Sequence, residues 1–185
     1  MAKAVLISIR PEWVEKILAG EKTLEVRKTR PNMGTPFKCH IYCTNSGVAM
    51  GMWGKHGKVV GEFFCDKITC LTHVGFSGLP GIRLAAMKNG HTIDDSFDFS
   101  ESCLTTPQIE KYLGGKDGYA WHISDLKIYD DPKQLNRFKP WNRECKYNDL
   151  GFAIPNCGTC QDCIVKKPPQ SWCYVEELKP EGAGR

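Results

Sequence analysis

The sequence predicts an α+β fold, a small mixed β-barrel with a few helices at its rim. The chain opens with a strand, a helix and a second strand, and most of the remaining chain has the composition of strands. Strands and helices do not alternate regularly, as a doubly wound α/β fold would require. A length of 185 residues suits a single domain that can bury a core.

The first three elements are predicted in order from the start of the chain. Residues 4–9, AVLISI, form a short apolar run that is typical of a buried strand. An amphipathic helix follows, with Pro11 in its first turn and Gly20 at its end. In the next stretch, GEKTLEVRK at residues 20–28, charged and apolar residues alternate, which is the periodicity of a strand.

Later elements follow from similar patterns. A short helix is predicted at 106–115, and strands are predicted at 38–44, 57–71, 119–130 and 171–176. Asp131-Pro132 is expected to end the third of these strands, whereas 45–57 and 72–104 carry mixed patterns that predict no element. The organisation is therefore one domain at 1–178, with a Cys-rich insertion at 139–167 and a frayed tail at 179–185.

Composition and charge limit the classes of protein. The chain is 41% hydrophobic and 25% charged, which indicates a globular protein rather than a disordered one. A net charge of +4 and a pI of about 8.5 permit an anionic ligand, but lie below the values of a dedicated nucleic-acid binder. Without a signal-peptide pattern or an apolar span, we expect a cytoplasmic protein that makes no membrane contact. Its ten cysteines should then be reduced thiols or metal ligands.

The stretch GEKTLEVRK carries the first candidate binding residues. Alternation places Glu25 and Arg27 on one face of a strand, with Lys22 just past the turn glycine. Arginine offers a planar fork to phosphate, carboxylate or a base edge, glutamate can accept from an amino or hydroxyl group, and lysine adds a mobile cation. The alternative is a solvated strand face with a weak surface ion pair.

These residues also resemble a known family. The stretch ISIRPEWVEKILAGEKTLEVRK is similar to the opening of an ASCH domain, a member of the PUA-like superfamily, whose signature is Gly-x-Lys-x-x-Glu-x-Arg. Gly20, Lys22, Glu25 and Arg27 match every fixed position. The later pieces GKVVGEFFCDKI, AWHISDLKIYDDPKQL and PPQSWCYVE fit the same family. The resemblance implies a PUA-like β-barrel that binds RNA or a modified nucleotide in a cleft lined by Lys22, Glu25 and Arg27.

The resemblance also implies an alternative, a hydrolase that uses the same cleft. Some members act as amidohydrolases on acylated cytidine nucleosides, through a lysine and a threonine of this motif and a distant glutamate; others are ribonucleases. Lys22 matches the lysine and Glu62 is the counterpart of the distant acid, but Glu25 stands at the threonine position. We therefore expect no efficient amidohydrolase activity. Whether the protein is an enzyme stays open, as does a third possibility, an adaptor whose cysteine module binds another protein.

Further candidates for a ligand site are aromatic and small polar residues. Trp172 and Tyr174 share a face by alternation, and with Trp53 they could stack on a base; the alternative is that they pack in the core. Asn45 and Ser46 follow a strand end and either line a cleft or form a plain turn.

The motif CGTCQDC predicts a metal site. Cys157, Cys160 and Cys163 recur at intervals that turn thiolates toward one point, and Cys145 in the same excursion is the expected fourth ligand. A structural zinc ion would hold together a segment with little core of its own. An iron–sulfur cluster and free thiols are the alternatives.

Overall fold

The computed structural model describes residues 2–46, 51, 54–75, 82–88, 91–94, 98–142 and 163–177. Within them, the chain forms two α-helices and ten strands, which confirms the mixed α+β class. The helices are α1 (Pro11–Leu18) and α2 (Thr106–Leu113), and the strands are β1 (Lys3–Ile9), β2 (Leu24–Arg27), β3 (Phe37–Cys43), β4 (Lys58–Cys65), β5 (Ile68–Gly75), β6 (Ile82–Lys88), β7 (His91–Asp94), β8 (Gly118–His122), β9 (Ser124–Gln134) and β10 (Trp172–Glu176). Neither helix among these residues has the length and apolarity needed to cross a bilayer.

The strands form two five-stranded sheets. Sheet A has the order β10-β1-β3-β4-β9, and sheet B has the order β2-β8-β5-β6-β7. Because both orders are open among the described strands, the predicted closed barrel is not confirmed. By contacts, the chain divides into a first unit (Met1–Glu15, Lys38–Phe63 and Lys127–Arg185) and a second unit (Lys16–Phe37 and Phe64–Leu126).

In the first unit, one face of sheet A carries an apolar core. Register explains part of its composition, since Ala4 lies opposite Val175 and Leu6 lies opposite Cys173, both on β10. Burying each large apolar side chain contributes about 1.5–3 kcal/mol. The buried members are Ala4, Leu6, Tyr42, Val59, Tyr129, Phe138, Val165 and Val175.

In the second unit, the apolar face of β2 packs against α2. Leu24 and Val26 share a buried cluster with Ile109 and Leu113, which lie one helical turn apart. The backbone N–H of Thr105 donates to the side-chain oxygen of Gln108 at 2.8 Å, which fixes the start of α2. The alternation predicted for the GEKTLEVRK stretch therefore holds, because its apolar residues enter this core.

Two of the predicted strands are each divided into two shorter strands in the structure. The run at 57–71 breaks at Asp66 into β4 and β5, and the run at 119–130 breaks at Ile123 into β8 and β9; each break also changes the sheet. In both runs, apolar and aromatic residues stand on either side of the break, so each run was predicted as one strand. The expected end at Pro132 is also wrong, because β9 continues to Gln134. As the last strand of sheet A, β9 tolerates a residue without an N–H.

Residues 72–104, which had no predicted element, contain β6, β7 and a 3-10 helix at Ser100–Ser102. Other predictions are not tested by the fold. Residues 143–162 and 178–185 lie outside the described residues, so the Cys-rich insertion, the tail and the single-domain assignment stay predictions.

Candidate functional site

Lys22, Glu25 and Arg27 form a buried ionic cluster in the second unit. Nζ of Lys22 donates to the carbonyl oxygens of Leu24 at 2.8 Å and Ser102 at 2.7 Å, and lies 3.2 Å from Oε2 of Glu25. Nε of Arg27 lies 3.0 Å from the other carboxylate oxygen, Oε1. The three residues are 2%, 7% and 7% exposed. The structure thus brings the three motif residues together, and their binding of a ligand stays a prediction.

This geometry fixes Lys22 instead of leaving it mobile. An ammonium group has three N–H donors, and two carbonyl oxygens and one carboxylate occupy them. Each oxygen of Glu25 in turn faces one cation, so the carboxylate is held from both sides. Lys22 therefore positions Glu25. The expectation of a mobile cation is wrong because the lysine side chain is directed inward.

Ser102 reaches Lys22 because the segment around it is tightly folded. The Asp98 carboxylate accepts from the backbone N–H and the hydroxyl of Ser100, both at 2.8 Å, which starts the 3-10 helix. Cys103 then adopts a φ of 56°, which turns the chain out of that helix. Sequence reasoning missed this segment, although the Asp-x-Ser pattern at 98–100 is a signal for a turn. Ser102 accepts the hydrogen bond from Lys22 through its backbone oxygen, so the type of residue at this position gives no indication of the contact.

Two exposed cations follow the cluster along the chain, and each lies over a tyrosine ring. Nζ of Lys28 is 5.2 Å from the ring centroid of Tyr112, and the guanidinium carbon of Arg30 is 5.6 Å from that of Tyr119. Tyr119 also pairs with Arg27 in the register of β2 and β8. We call Lys28, Arg30, Tyr112 and Tyr119 the basic–aromatic surface. Sequence analysis missed it because the tyrosines lie about 80 residues beyond the cations.

Trp172 and Tyr174, the aromatic candidates from sequence, lie together in the first unit. Their ring centroids are 5.3 Å apart in an edge-on arrangement, and Nζ of Lys3 lies 3.6 Å over the Tyr174 ring. Both side chains are partly exposed. The shared face is confirmed, while base stacking stays a prediction; Trp53 lies outside the described residues.

Asn45 and Ser46 lie in an exposed turn after β3. The hydroxyl groups of Ser46 and Thr44 are 2.8 Å apart. A Cβ on Gly57 would come within 2.8 Å of Oδ1 of Asn45, and Gly57 has a φ of +72°, so this turn needs glycine there. These contacts match the plain-turn interpretation, and a ligand role for the two residues stays a prediction.

Glu62, the candidate acid, belongs to a second polar cluster in the first unit. The Tyr129 hydroxyl donates to Oε2 of Glu62 at 2.7 Å and lies 3.1 Å from Nδ1 of His40. Nζ of Lys38 lies 3.5 Å from Oε1 of Glu62 and 2.5 Å from Oε1 of Glu177. The catalytic set Lys22, Glu25 and Glu62 stays a prediction. Sequence reasoning left His40 unassigned and did not select Lys38 or Tyr129.

The charges of this second cluster follow from burial. Burial lowers the pKa of the wholly buried His40 to about 4, although Glu62 acts in the opposite direction. Burial also acts to raise the pKa of Glu62, but the hydrogen bond from Tyr129 and the charge of Lys38 together lower it. Burial and Glu62 raise the pKa of Tyr129. Near neutral pH, the cluster therefore holds a neutral imidazole, a carboxylate and a protonated phenol.

Of the four predicted zinc ligands, the structure describes Cys163. It is fully buried, and the N–H of the nearby Val165 donates to the carbonyl of Phe138 at 2.8 Å. Cys145, Cys157 and Cys160 lie outside the described residues. Within the described ranges, no three His, Cys, Asp or Glu residues are grouped as metal ligands. The zinc site therefore stays a prediction.

Comparison with known proteins identifies the fold. No protein-family model matches the chain, and no curated protein matches it. Among solved structures, the ASCH protein of Zymomonas mobilis is 19% identical, with a TM-score of 0.55 over 94% of this chain and 88% of that chain. A tyrosine-to-phenylalanine variant of that protein is 19% identical, with a TM-score of 0.56 over 95% and 92% of the two chains. A serine-to-alanine variant is 18% identical, with a TM-score of 0.53 over 94% and 89%. The chain thus has the fold of ASCH structures.

Proposed function

Starting from this fold, we propose that the chain is an ASCH domain protein that binds short single-stranded RNA or a modified nucleotide. Its ligand site comprises the ionic cluster of Lys22, Glu25 and Arg27 and the basic–aromatic surface. The observation that carries the proposal is the continuity of β2 with that surface. Along nine residues, from Lys22 to Arg30, the chain passes from the buried cluster to two exposed cations over tyrosine rings.

The chemistry of this surface suits a nucleotide. Lys28 and Arg30 can neutralise phosphates, and the rings of Tyr112 and Tyr119 can stack on bases, a contact worth about 1–3 kcal/mol per base. Tyr112 is 39% exposed, so a ligand can reach its side chain without rearrangement of the core. A net charge of only +4 favours a short strand or a small ligand over a long duplex.

The cluster itself favours binding over hydrolysis. The ammonium of Lys22 already contacts three oxygens, so it would have to leave them to act on a substrate. Glu25, at the position of the threonine in the amidohydrolases, is paired with two cations and has no hydroxyl to attack with. In the proposed function, the cluster holds a carboxylate at the base of a binding surface.

Titration of a fluorescent heptameric single-stranded RNA tests this function. We expect Tyr119→Leu and Arg30→Gln each to weaken binding by about 5- to 50-fold, because one stacking or phosphate contact is lost. The Arg30 variant should also show a shallower dependence of affinity on salt concentration, since fewer counterions are released.

Lys67→Gln provides the matched control, because it removes one exposed positive charge in the same unit, beside His122 at the end of β8 opposite to Tyr119. Tyr174→Leu tests the competing stacking pair from sequence analysis. A loss of affinity in the Lys67 variant equal to that of the Arg30 variant would show nonspecific charge binding. A loss confined to the Tyr174 variant would move the ligand site to the first unit.

We also propose that Cys145, Cys157, Cys160 and Cys163 bind one structural zinc ion. The support is the spacing of the thiols in sequence, and the cytoplasmic location expected from the sequence would keep them reduced. Protein purified without added metal should contain about one zinc per chain by mass spectrometry of the metal, and Cys163→Ser should lower that content at least threefold. Cys103→Ser, which alters a partly exposed cysteine outside the motif, should retain the metal. Less than about one-tenth equivalent of zinc in the parent protein would end this proposal.

A further inference from the structure

A cavity of about 590 Å³ lies along β9 in the first unit. Its lining comes from Lys58 at the start of β4, from residues 127–134 of β9 and from Arg137. Small-molecule sites have volumes of about 300–1,000 Å³, so the space is large enough for a metabolite. It is separate in the chain from the residues proposed to bind RNA, all of which belong to the second unit.

The lining of this β9 cavity is unusually cationic. It includes Lys58, Lys127, Lys133 and Arg137, four positive side chains, against two negative ones, Asp130 and Asp131. A cavity lined mainly by one sign of charge raises the local concentration of a ligand of the opposite sign. The whole chain carries a net charge of only +4, so an excess of two in one cavity is a local concentration of charge.

Tyr129 is one of the lining residues, and its side chain is held in place. Tyr129 is 9% exposed, and its hydroxyl is held by the Glu62 carboxylate at 2.7 Å and lies 3.1 Å from Nδ1 of His40. His40 is wholly buried against the ring of Phe138, with centroids 5.0 Å apart, so these contacts anchor the ring from beneath. Nζ of Lys133 lies 4.7 Å from the centroid of the Tyr129 ring, which brings a cation close to this residue.

The backbone brings β9 close to β4 at this point. A Cβ on Gly61 would come within 2.6 Å of the carbonyl oxygen of Lys127, so only glycine permits the observed approach. Lys127 consequently lies close enough to Glu62 for its charge to contribute to the lowered pKa of that carboxyl group. The cations at the cavity and the buried cluster under Tyr129 thus form one electrostatic unit.

We propose that the β9 cavity binds a small organic molecule that carries a phosphate or diphosphate group. Lys127, Lys133 and Arg137 supply the charge-assisted donors for the phosphate oxygens. Asp130 and Asp131 line the same space and can accept hydrogen bonds from the alcohol hydroxyl groups of an organic ligand, which pyrophosphate lacks. This site is independent of the proposed RNA-binding function.

Isothermal titration of the full chain tests the proposal with three probes that carry no base, glycerol 3-phosphate, ribose 5-phosphate and inorganic pyrophosphate. We expect one site per chain, and at least one organic phosphate should bind about fivefold or more tightly than pyrophosphate, because the aspartates accept hydrogen bonds from its alcohol hydroxyl groups. Lys127→Gln and Arg137→Gln should each weaken that binding about tenfold through loss of a charge-assisted hydrogen bond. Both side chains are exposed, so these variants should fold like the parent.

Lys67→Gln removes the same charge outside the cavity and should not change the affinity. Tyr119→Leu, which tests RNA binding, should not change it either. Three results would overturn the proposal: no heat of binding at 1 mM probe (a concentration about a thousandfold above a micromolar dissociation constant), pyrophosphate binding as tightly as both organic probes, or equal weakening by Lys67→Gln.

Discussion

Lys22→Ala should lower the free energy of unfolding by about 3–5 kcal/mol, the usual cost of removing one partner from a buried ion pair. The substitution leaves the carbonyl oxygens of Leu24 and Ser102 without their donor and removes one of the two cations that face Glu25. Native proteins have only about 5–15 kcal/mol of stability, so much of the margin would be lost. For a chain of this length, we expect the thermal midpoint to fall by about 6–20 °C.

The neighbouring pair of Lys16 and Glu21 is the matched control. Its N–O distance of 2.9 Å is shorter than the 3.2 Å between Lys22 and Glu25, but its side chains are 41% and 59% exposed. Lys16→Ala should therefore cost less than about 1 kcal/mol. Urea unfolding followed by tryptophan fluorescence measures both. Similar small effects in the two variants would mean that Lys22 is not buried against Glu25 as the structure shows.

Acid should destabilise the protein strongly through His40, well above the pH at which exposed carboxylates titrate. The ordinary pKa of histidine is about 6.5, and the folded value is about 4. Between these values the unfolded chain binds a proton that the folded chain does not, so stability is greatest above pH 6.5 and falls as the pH drops toward 4. The shift corresponds to about 3 kcal/mol, most of which is lost between pH 7 and pH 4.5.

The unfolding free energy of the parent and of His40→Gln at pH 7 and pH 4.5 checks this prediction. Charged groups around His40 include Glu62, Lys38, Glu177 and Lys133, and they remain in the variant. The difference between the two pH values should shrink by about 2 kcal/mol or more in His40→Gln. His56→Gln, in a turn before β4, should keep the difference of the parent protein. An unchanged difference in His40→Gln would show that the pKa of His40 is not lowered in the folded state.

Local pattern predicted the elements whose signals, an apolar run, an alternation or a helix start and stop, lie within a short stretch of sequence. For β1, α1, β3, α2 and β10, the predicted and observed bounds agree within one or two residues. The runs at 57–71 and 119–130 were each predicted as one strand, because the breaks at Asp66 and Ile123 depend on contacts with residues elsewhere in the chain. The N–H of Ile123 donates to the carbonyl of Thr23, and the His122 imidazole pairs with Asp66 at 2.7 Å. Neither contact has a signature in the run itself.

In the candidate site too, local sequence predicted some features, and those that depend on distant residues were missed. The motif identified Lys22, Glu25 and Arg27, and the fold brings these three residues together. They lie within six residues of the chain, so one turn and one strand are enough to place them. The motif did not indicate that Lys22 points inward, since its acceptor at Ser102 is a backbone oxygen 80 residues away. Tyr112, Tyr119 and Tyr129 were missed because tyrosines on helices and strands are common in cores.

The pairing of β1 with β10 has a consequence for how the chain folds. Lys3 lies opposite Glu176, so the first and last strands of sheet A are neighbours, with β1 between β10 and β3. During synthesis, β1 is made before β10, so one edge of β1 stays open until β10 has also been made. Such long-range pairing slows folding, and an unpaired edge is a template for association between chains. Completion of sheet A is therefore expected to be a late step of folding, and chains in which β10 has not yet paired expose the open edge of β1 to association.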